Sequence, residues 1–181
     1  RHARPNAVVY QCACTSPEKT GELTLHIPTK EGKLITGHAS LEINADDFDY
    51  ANHQDVTVEA CTLDALLEDS ELATIDLLSV DVEGTEMDVL KGFDLAKYRP
   101  LLILMEDKLL YLEKHRYLKK NGYRLVKRTK QNNWYIPADA SRPPQMMREK
   151  WKLIKKMYMS IWLRKLKFAF KSKRLEPLCR L

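Results

Sequence analysis

Short segments with an apolar period of two residues stand out along the first part of the chain. Gly21–Pro28 alternates leucine and isoleucine with polar residues, and Val56–Thr62 repeats the pattern, which is typical of half-exposed strands. Continuous apolar runs in Ala7–Thr15, Ile75–Asp81 and Arg99–Asp107 predict buried strands. The pattern therefore predicts a sheet-forming body.

Helical patterns lie between these strands and after them. Thr62–Asp69 predicts a short helix with Thr62 as its N-cap, and Thr85–Gly92 predicts a helix of about two turns. We expect Gly92 to end the second helix in the left-handed conformation. Tyr111–Gly122 predicts an amphipathic helix.

The remaining segments of the body complete an α/β pattern. His38–Tyr50 is irregular and polar, whereas Tyr123–Thr129 and Asn133–Pro137 predict an antiparallel pair of strands. Strands that alternate with helices indicate an α/β sheet with parallel central strands. In such sheets, ligands bind beyond the carboxyl ends of the strands.

Carboxylates follow two of the buried strands. Asp81 and Glu106 each stand at the carboxyl end of an apolar run, where a ligand would lie. Taken singly, Asp81 and Glu83 would cap the following helix, and Glu106 with Asp107 would be a solvated strand end. Taken together, acids at the ends of two neighbouring strands favour a site. The pair also suits a divalent cation, but two carboxylates without defined spacing do not predict one.

Charge divides the chain into two unlike parts. From Ser141 onward there are 13 basic and 2 acidic side chains, a net charge of +11, against 17 basic and 23 acidic side chains in residues 1–140, a net charge of −6. The prolines of Ser141–Pro144 interrupt regular structure between them. We therefore predict a body of residues 1–140 and a basic helical tail of residues 141–181.

The tail segment Glu149–Arg174 has a helical apolar period. Tryptophans and lysines on such a helix suit a membrane interface, and packing against the body or a second subunit is an equal alternative. No nucleic-acid recognition motif accompanies the positive charge of the tail, so nucleic-acid binding is not expected. The predicted apolar face, which Lys165 interrupts, comprises Trp151, Ile154, Met157, Tyr158, Ile161, Trp162, Phe168 and Ala169.

Composition narrows the location and the chemistry. With 44% hydrophobic and 30% charged residues, the chain is predicted to be globular, and its longest apolar run is too short to span a bilayer. The four cysteines form no CxxC pair, which predicts no zinc site and a reducing cytosol. We expect a cytoplasmic protein, with peripheral contact to the inner face of the membrane through residues 149–174 left open.

The series TLDALL…IDLLSVDVEGTEMDVLKGFDLAKYRPLLILMED resembles the FkbM family of S-adenosylmethionine (SAM)-dependent methyltransferases. The resemblance extends from about Ala7 to Pro137, and its specificity lies in the combined spacing of several motifs. The matching residues are Thr62, Leu63, Asp64, Asp81, Val82, Glu83, Gly84, Glu86, Val89, Leu90, Gly92 and Glu106.

The resemblance implies a Rossmann-like class I methyltransferase sheet with SAM as cofactor. Such a sheet begins with a glycine-rich turn and an acid that binds the ribose, but the six glycines of this chain are scattered. We therefore expect the chain to be the C-terminal part of a longer methyltransferase, without the N-terminal cofactor-binding strands. Alone, it is expected to bind SAM feebly or not at all.

The resemblance also assigns roles to individual residues. Asp81 would hold the amino group of SAM or orient the acceptor, and Glu83 would position the substrate. Glu106 would accept a proton or a sugar hydroxyl, and His38 is the histidine to test as general base, although an exposed loop histidine without a role remains open. Ala13 and Cys14, at the end of the first strand, are assigned to cofactor contact. They would pack against the adenine ring, and a plain role in core packing is the alternative.

The preferred function is O-methylation of a hydroxylated acceptor such as a sugar or glycan. The rival class is a truncated, non-catalytic module that binds a membrane surface or a protein partner through the basic tail.

Overall fold

The computed structural model describes residues 6–41, 43, 52–68, 70, 72, 74–108, 110–141 and 147–172. Its strands are β1 (Ala13–Cys14), β2 (Gly21–Lys30), β3 (Lys33–Leu34), β4 (His53–Cys61), β5 (Leu77–Val80), β6 (Leu102–Glu106), β7 (Tyr123–Thr129) and β8 (Asn132–Pro137). Its α-helices are α1 (Leu63–Glu68), α2 (Glu86–Lys91), α3 (Leu95–Tyr98), α4 (Glu113–Lys120), α5 (Met147–Ile154) and α6 (Ile161–Ser172).

The described strands form two mixed sheets. The first has the order β1-β4-β2-β3, in which β1 is parallel to β4 and β2 is antiparallel to it from Gly21↔Ala60 to Pro28↔His53. The second has the order β5-β6-β8-β7, in which only the β5–β6 pair is parallel. The predicted α/β class is confirmed, but antiparallel pairing is more extensive than the sequence indicated.

The first strand is much shorter than predicted. The expected strand Ala7–Thr15 is wrong over residues 7–12, because only Ala13 and Cys14 pair with β4. Val8 and Val9 are 77% and 82% exposed, and no strand in the described part of the chain pairs with them. An apolar run alone does not make a strand when it has no hydrogen-bonding neighbour.

A short helix precedes the predicted strand Arg99–Asp107, and that strand begins later than expected. Asp94 accepts hydrogen bonds from the backbone N–H groups of Ala96 and Lys97 and so caps α3, which the sequence analysis missed. Arg99 then adopts a left-handed conformation with φ of 39°, and β6 begins only at Leu102.

The conformation of Gly92 differs from the prediction. Its φ is −88°, so the expected left-handed helix end is wrong. A Cβ atom on Gly92 would lie 2.1 Å from the backbone oxygen of Thr15, which makes close approach to the end of β1 the reason for the glycine. The predicted N-cap is confirmed: the backbone N–H of Ala65 donates to Oγ1 of Thr62 at 3.1 Å.

The main core lies around the second sheet. It joins both parallel strands to α2, α3, α4 and the β7–β8 pair through apolar residues that are at most 5% exposed. These residues are Val80, Val89, Leu90, Phe93, Leu95, Tyr98, Ile103, Met105, Leu118, Tyr123 and Tyr135.

The tail contacts the body, and its helix is interrupted. A π-helical turn at Lys155–Met159 separates α5 from α6, and such a turn rotates the following face by about 100° relative to a continuous helix. Met157 is buried, and the hydroxyl of Tyr158 lies 2.9 Å from Nε2 of His115 in α4. The single broad apolar face predicted for the tail is therefore wrong.

The buried side of the tail includes a lysine. Lys165, expected to interrupt the apolar face, is 4% exposed, and its ammonium lies 5.1 Å from the ring centre of Tyr111 and 5.9 Å from that of Trp162. The predicted joint at Ser141–Pro144 lies mostly outside the described residues. None of the described helices has the length and apolar character needed to cross a membrane.

Candidate active site

The two parallel strands of the second sheet end side by side. The register pairs Val80 with Met105, so Asp81 and Glu106 leave β5 and β6 at the same edge. Partial burial, and then the negative charge of Asp81, raise the pKa of Glu106 to about 7, although Lys108 acts in the opposite direction. Glu83 and Glu86 raise this pKa further. The expected meeting of carboxylates at this edge is therefore observed.

A strained turn follows β5. Glu83 has a φ of 51° and Gly84 a φ of 115°, which turns the chain sharply into α2. The hydroxyl of Ser40 donates to the backbone oxygen of Glu83 at 2.9 Å. Ser40 also pairs with His26 of β2 through its backbone, so the turn is attached to the first sheet.

A buried ion pair supports the turn from the other side. Lys114 of α4 donates to Oε2 of Glu86 at 2.6 Å and to the backbone oxygen of Glu106 at 3.1 Å. Oε1 of Glu86 accepts the backbone N–H of Gly84 at 3.0 Å. Burial alone would raise the pKa of Glu86, but Lys114 and the backbone N–H groups outweigh it and the pKa is lowered. Glu86 is therefore an ionised structural group.

An open cleft of about 800 Å³ lies between the first sheet and this turn. That volume falls within the range of small-molecule sites. The residues that line it are mostly apolar or small: Tyr10, Gln11, Cys12, Ala13, Cys14, Leu25, Ala39, Ser40, Leu41, Val56, Thr57, Val58, Glu59, Val82 and Thr85. The cleft thus joins the end of β1 to the residues after Asp81.

Cys14 in the cleft and the nearby Cys61 are poor nucleophiles. Burial, and then the nearby Cys61, raise the pKa of the Cys14 thiol. Burial is also the first cause that raises the pKa of Cys61, to about 11, followed by Cys12. Thiols rather than thiolates are therefore present at neutral pH, and Cys14 offers packing surface.

The structure gathers most of the predicted site residues. Asp81, Glu83 and Glu106 lie at one edge, and Ala13 and Cys14 line the adjoining cleft. His38 ends a 3₁₀ turn two residues before Ser40 and is not among the lining residues of that cleft. The roles assigned to these residues remain predictions.

The Thr-Leu-Asp motif has a structural part. The backbone N–H of Asp64 donates to the backbone oxygen of Gly92 at 3.0 Å. The two carboxylate oxygens of Asp64 accept the backbone N–H of Asp94 at 2.9 and 3.1 Å. The motif therefore links the start of α1 to the end of α2 and the beginning of α3, and so fixes the helix that follows the carboxylate turn.

Comparison with known proteins is decisive for the family. The family model described as "Methyltransferase FkbM domain" matches residues 2–125. The chain belongs to the FkbM methyltransferase family. No curated protein and no solved structure matches it. The FkbM match includes every predicted site residue and ends within β7, so the tail helices lie outside it.

Several residues that shape the FkbM site gave little signal in the sequence. Glu86 matched the family motif without an assigned role, and its partner Lys114 lies 28 positions away in a predicted amphipathic helix. Ser40 falls in the irregular polar segment after β3. These contacts depend on how the two sheets and α4 pack, which a local pattern does not report.

Proposed function

We propose that this FkbM chain takes part in SAM-dependent O-methylation of a hydroxylated acceptor such as a sugar or glycan. The observation that carries the proposal is the carboxyl group of Glu106, whose pKa of about 7 suits proton transfer near neutral pH. It stands beside Asp81 at the shared end of β5 and β6, and Val82, which follows Asp81, lines the open cleft.

The residues at this edge and in the cleft suit the cationic and apolar parts of SAM. Asp81 is exposed and anionic, and would attract the ammonium group of the cofactor. Ala13, Cys14 and Val82 offer apolar surface to the adenine ring. When bound, SAM supplies a methyl group on a positively charged sulfur.

The carboxylates would prepare the acceptor. Glu106 would accept the proton of the acceptor hydroxyl, which makes the oxygen a better nucleophile. Glu83, held by the hydrogen bond from Ser40 to its backbone oxygen, would orient the acceptor for in-line attack. His38 is the alternative base, since it lies close in sequence to the cleft-lining Ala39 and Ser40.

We also propose that the two sheets are parts of one Rossmann-like class I sheet. β1 and β5 each end a sheet in the described part of the chain, and apolar residues are exposed both before β1, at Val9, and in β5, at Leu77. The cofactor-binding strands implied by the family resemblance would lie between β1 and β5, where they would cover these residues.

The test measures methyl transfer from labelled SAM by the natural full-length protein. Glu106→Gln and Asp81→Asn are each expected to lower kcat/KM at least about tenfold without an earlier melting transition. Because the base must be deprotonated, the wild-type rate should rise with pH through about 7, and this rise should be absent in Glu106→Gln.

Glu113→Gln, at an exposed position of α4, is the matched control and should keep full activity. If Glu106→Gln retains the pH-dependent rise while His38→Gln loses it, His38 is the base and the assignment of Glu106 is wrong.

A second proposed function is peripheral membrane contact through the tail. Trp151, Trp162 and Phe170 are 62%, 54% and 78% exposed, although other tail residues pack on the body. Exposed lysines accompany them at positions 152, 155, 156 and 167. Aromatic residues near the headgroups, together with lysines facing lipid phosphates, favour binding to an anionic surface.

Co-sedimentation with vesicles of anionic and neutral phospholipids tests this proposal. The wild-type protein is expected to bind anionic vesicles, and added salt should weaken binding because it screens the charge. Replacing both tryptophans in Trp151→Ser/Trp162→Ser should release most of the protein. Leu34→Ser/Ile43→Ser removes exposed apolar surface outside the tail and should bind as wild type does. Equal sedimentation of the wild type and the tryptophan variant would refute a membrane role for the tail.

A further inference from the structure

Two histidines and an aspartate meet on one face of the first sheet. The antiparallel register places His26 of β2 directly opposite Asp55 of β4. His53 precedes Asp55 by two residues, so its side chain leaves the same face of β4. None of the three residues is among those that line the cleft. The cluster is therefore separate from the candidate active site.

The donor atoms of the cluster are close together. Nδ1 of His26 lies 2.6 Å from Oδ1 of Asp55, and Nε2 of His53 lies 3.2 Å from the same oxygen. One donor atom from each of the three residues falls within 4.8 Å of the others. The imidazole rings stand edge to face with centres 5.4 Å apart. Both rings can therefore direct a nitrogen at one point beside the carboxylate.

We propose that His26, His53 and Asp55 form a binding site for a divalent transition metal ion, with Zn²⁺ as its representative. Imidazole nitrogen and carboxylate oxygen are common ligands of Zn²⁺, and three protein ligands leave further positions to water. The side chain of Asp55 is 56% exposed, which leaves the metal position accessible from solvent.

The geometry requires only a small adjustment. Ligand atoms about 2.1 Å from a tetrahedral Zn²⁺ are roughly 3.4 Å apart. The His53–Asp55 distance of 3.2 Å is close to this separation. The His26–Asp55 distance of 2.6 Å is that of a hydrogen bond, and the exposed carboxylate must withdraw to make room for the ion. The backbone need not move, because the ladder from Gly21 to Pro28 holds both strands.

Metal binding would fasten the sheet behind the cleft. The ion would link β2 to β4, and β4 also pairs with β1, which contributes Ala13 and Cys14 to the cleft. An ion that binds only the folded chain raises its stability by mass action. The role is therefore structural, and it does not depend on the proposed methyl transfer.

Calorimetric titration of the 181-residue chain with ZnCl₂ and absorption spectra with Co²⁺ test the site. One ion is expected per chain, and Zn²⁺ at about 100 μM should raise the melting temperature. His26→Gln, His53→Gln and Asp55→Asn should each weaken binding at least about tenfold. His38→Gln, which alters a histidine outside the cluster, should bind as tightly as the wild type.

The Co²⁺ spectrum separates this cluster from the cysteines. Ligation by nitrogen and oxygen gives visible bands without thiolate charge transfer, so thiolate bands would overturn the proposal. It would also be overturned if the wild type binds no ion, or if the three variants bind as tightly as the wild type does. If a variant fails to fold, imidazole NMR of the wild type decides. Zn²⁺ shifts confined to His26 and His53 support the site, and unchanged signals refute it.

Discussion

Gly92→Ala is expected to destabilise the folded protein by at least about 3 kcal/mol, because overpacking against backbone leaves no flexible side chain to give way. The new Cβ would lie 2.1 Å from the backbone oxygen of Thr15 and 3.2 Å from Cβ of Thr62. Thr15 is held in turn by its backbone N–H, which donates to the oxygen of Cys61 at 3.0 Å. The clash therefore forces α2 away from the first sheet.

Urea unfolding followed by circular dichroism measures this effect. Gly37→Ala is the matched control, because no atom lies within 4 Å of its added Cβ and its φ is not in the left-handed range. It should unfold at the wild-type midpoint within the error of the measurement. A Gly92→Ala midpoint equal to that of Gly37→Ala would show that the end of α2 does not approach Thr15 as closely as the structure places it.

The example of Gly92 marks a limit of local sequence patterns. The sequence correctly places this glycine at the end of a helix, since Gly92 follows the last helical residue, Lys91. The sequence pattern attributes this glycine to a left-handed helix end, which is the wrong reason. The atom that a side chain would meet first belongs to Thr15, 77 positions earlier in the chain. Local patterns predict helix and strand types well, whereas contacts between distant segments depend on packing.

The site shows the same division. Asp81 and Glu106 were predicted together because the ends of parallel strands share one edge of a sheet, and the β5–β6 register places them there. The His26–Asp55 cluster was missed, since the sequence gives the period of each strand without their pairing. Its donors lie in separate segments with no metal-binding spacing, and the antiparallel register brings them together.

One irregular turn in the tail makes the helical-wheel prediction of its apolar face wrong. A helical wheel assumes a constant angle for each residue, but the π-helical turn at Lys155–Met159 resets that angle. Trp151 and Trp162 were placed on the same face as Met157, yet both are exposed whereas Met157 is 1% exposed. No local composition rule predicted the turn.

Lys114→Met is expected to cost about 3–5 kcal/mol at neutral pH, because it leaves the charge of a buried carboxylate without its partner. The side chain of Glu86 is 2% exposed, and Lys114 is the cation that contacts it at 2.6 Å. The double variant Glu86→Gln/Lys114→Met removes the charge and keeps an acceptor for the backbone N–H of Gly84. It should therefore recover most of the lost stability. Lys19→Met is the control, because it removes an ion pair with Asp88 in which the lysine side chain is 48% exposed. This substitution should cost less than about 1 kcal/mol.

The pH dependence of unfolding identifies the cause of this loss. In the wild type the pKa of Glu86 is lowered, so the pair stabilises the fold above the unfolded pKa of the carboxyl group, and the gain is lost as pH falls through the folded pKa. In Lys114→Met, burial alone would raise this pKa, so the folded variant would favour the protonated carboxyl and gain stability as pH falls. The difference between the urea midpoints of wild type and variant should therefore be smaller at about pH 4 than at about pH 7. A loss that stays constant with pH would mean that Lys114 acts through packing of its side chain, and that Glu86 is not held as a buried anion.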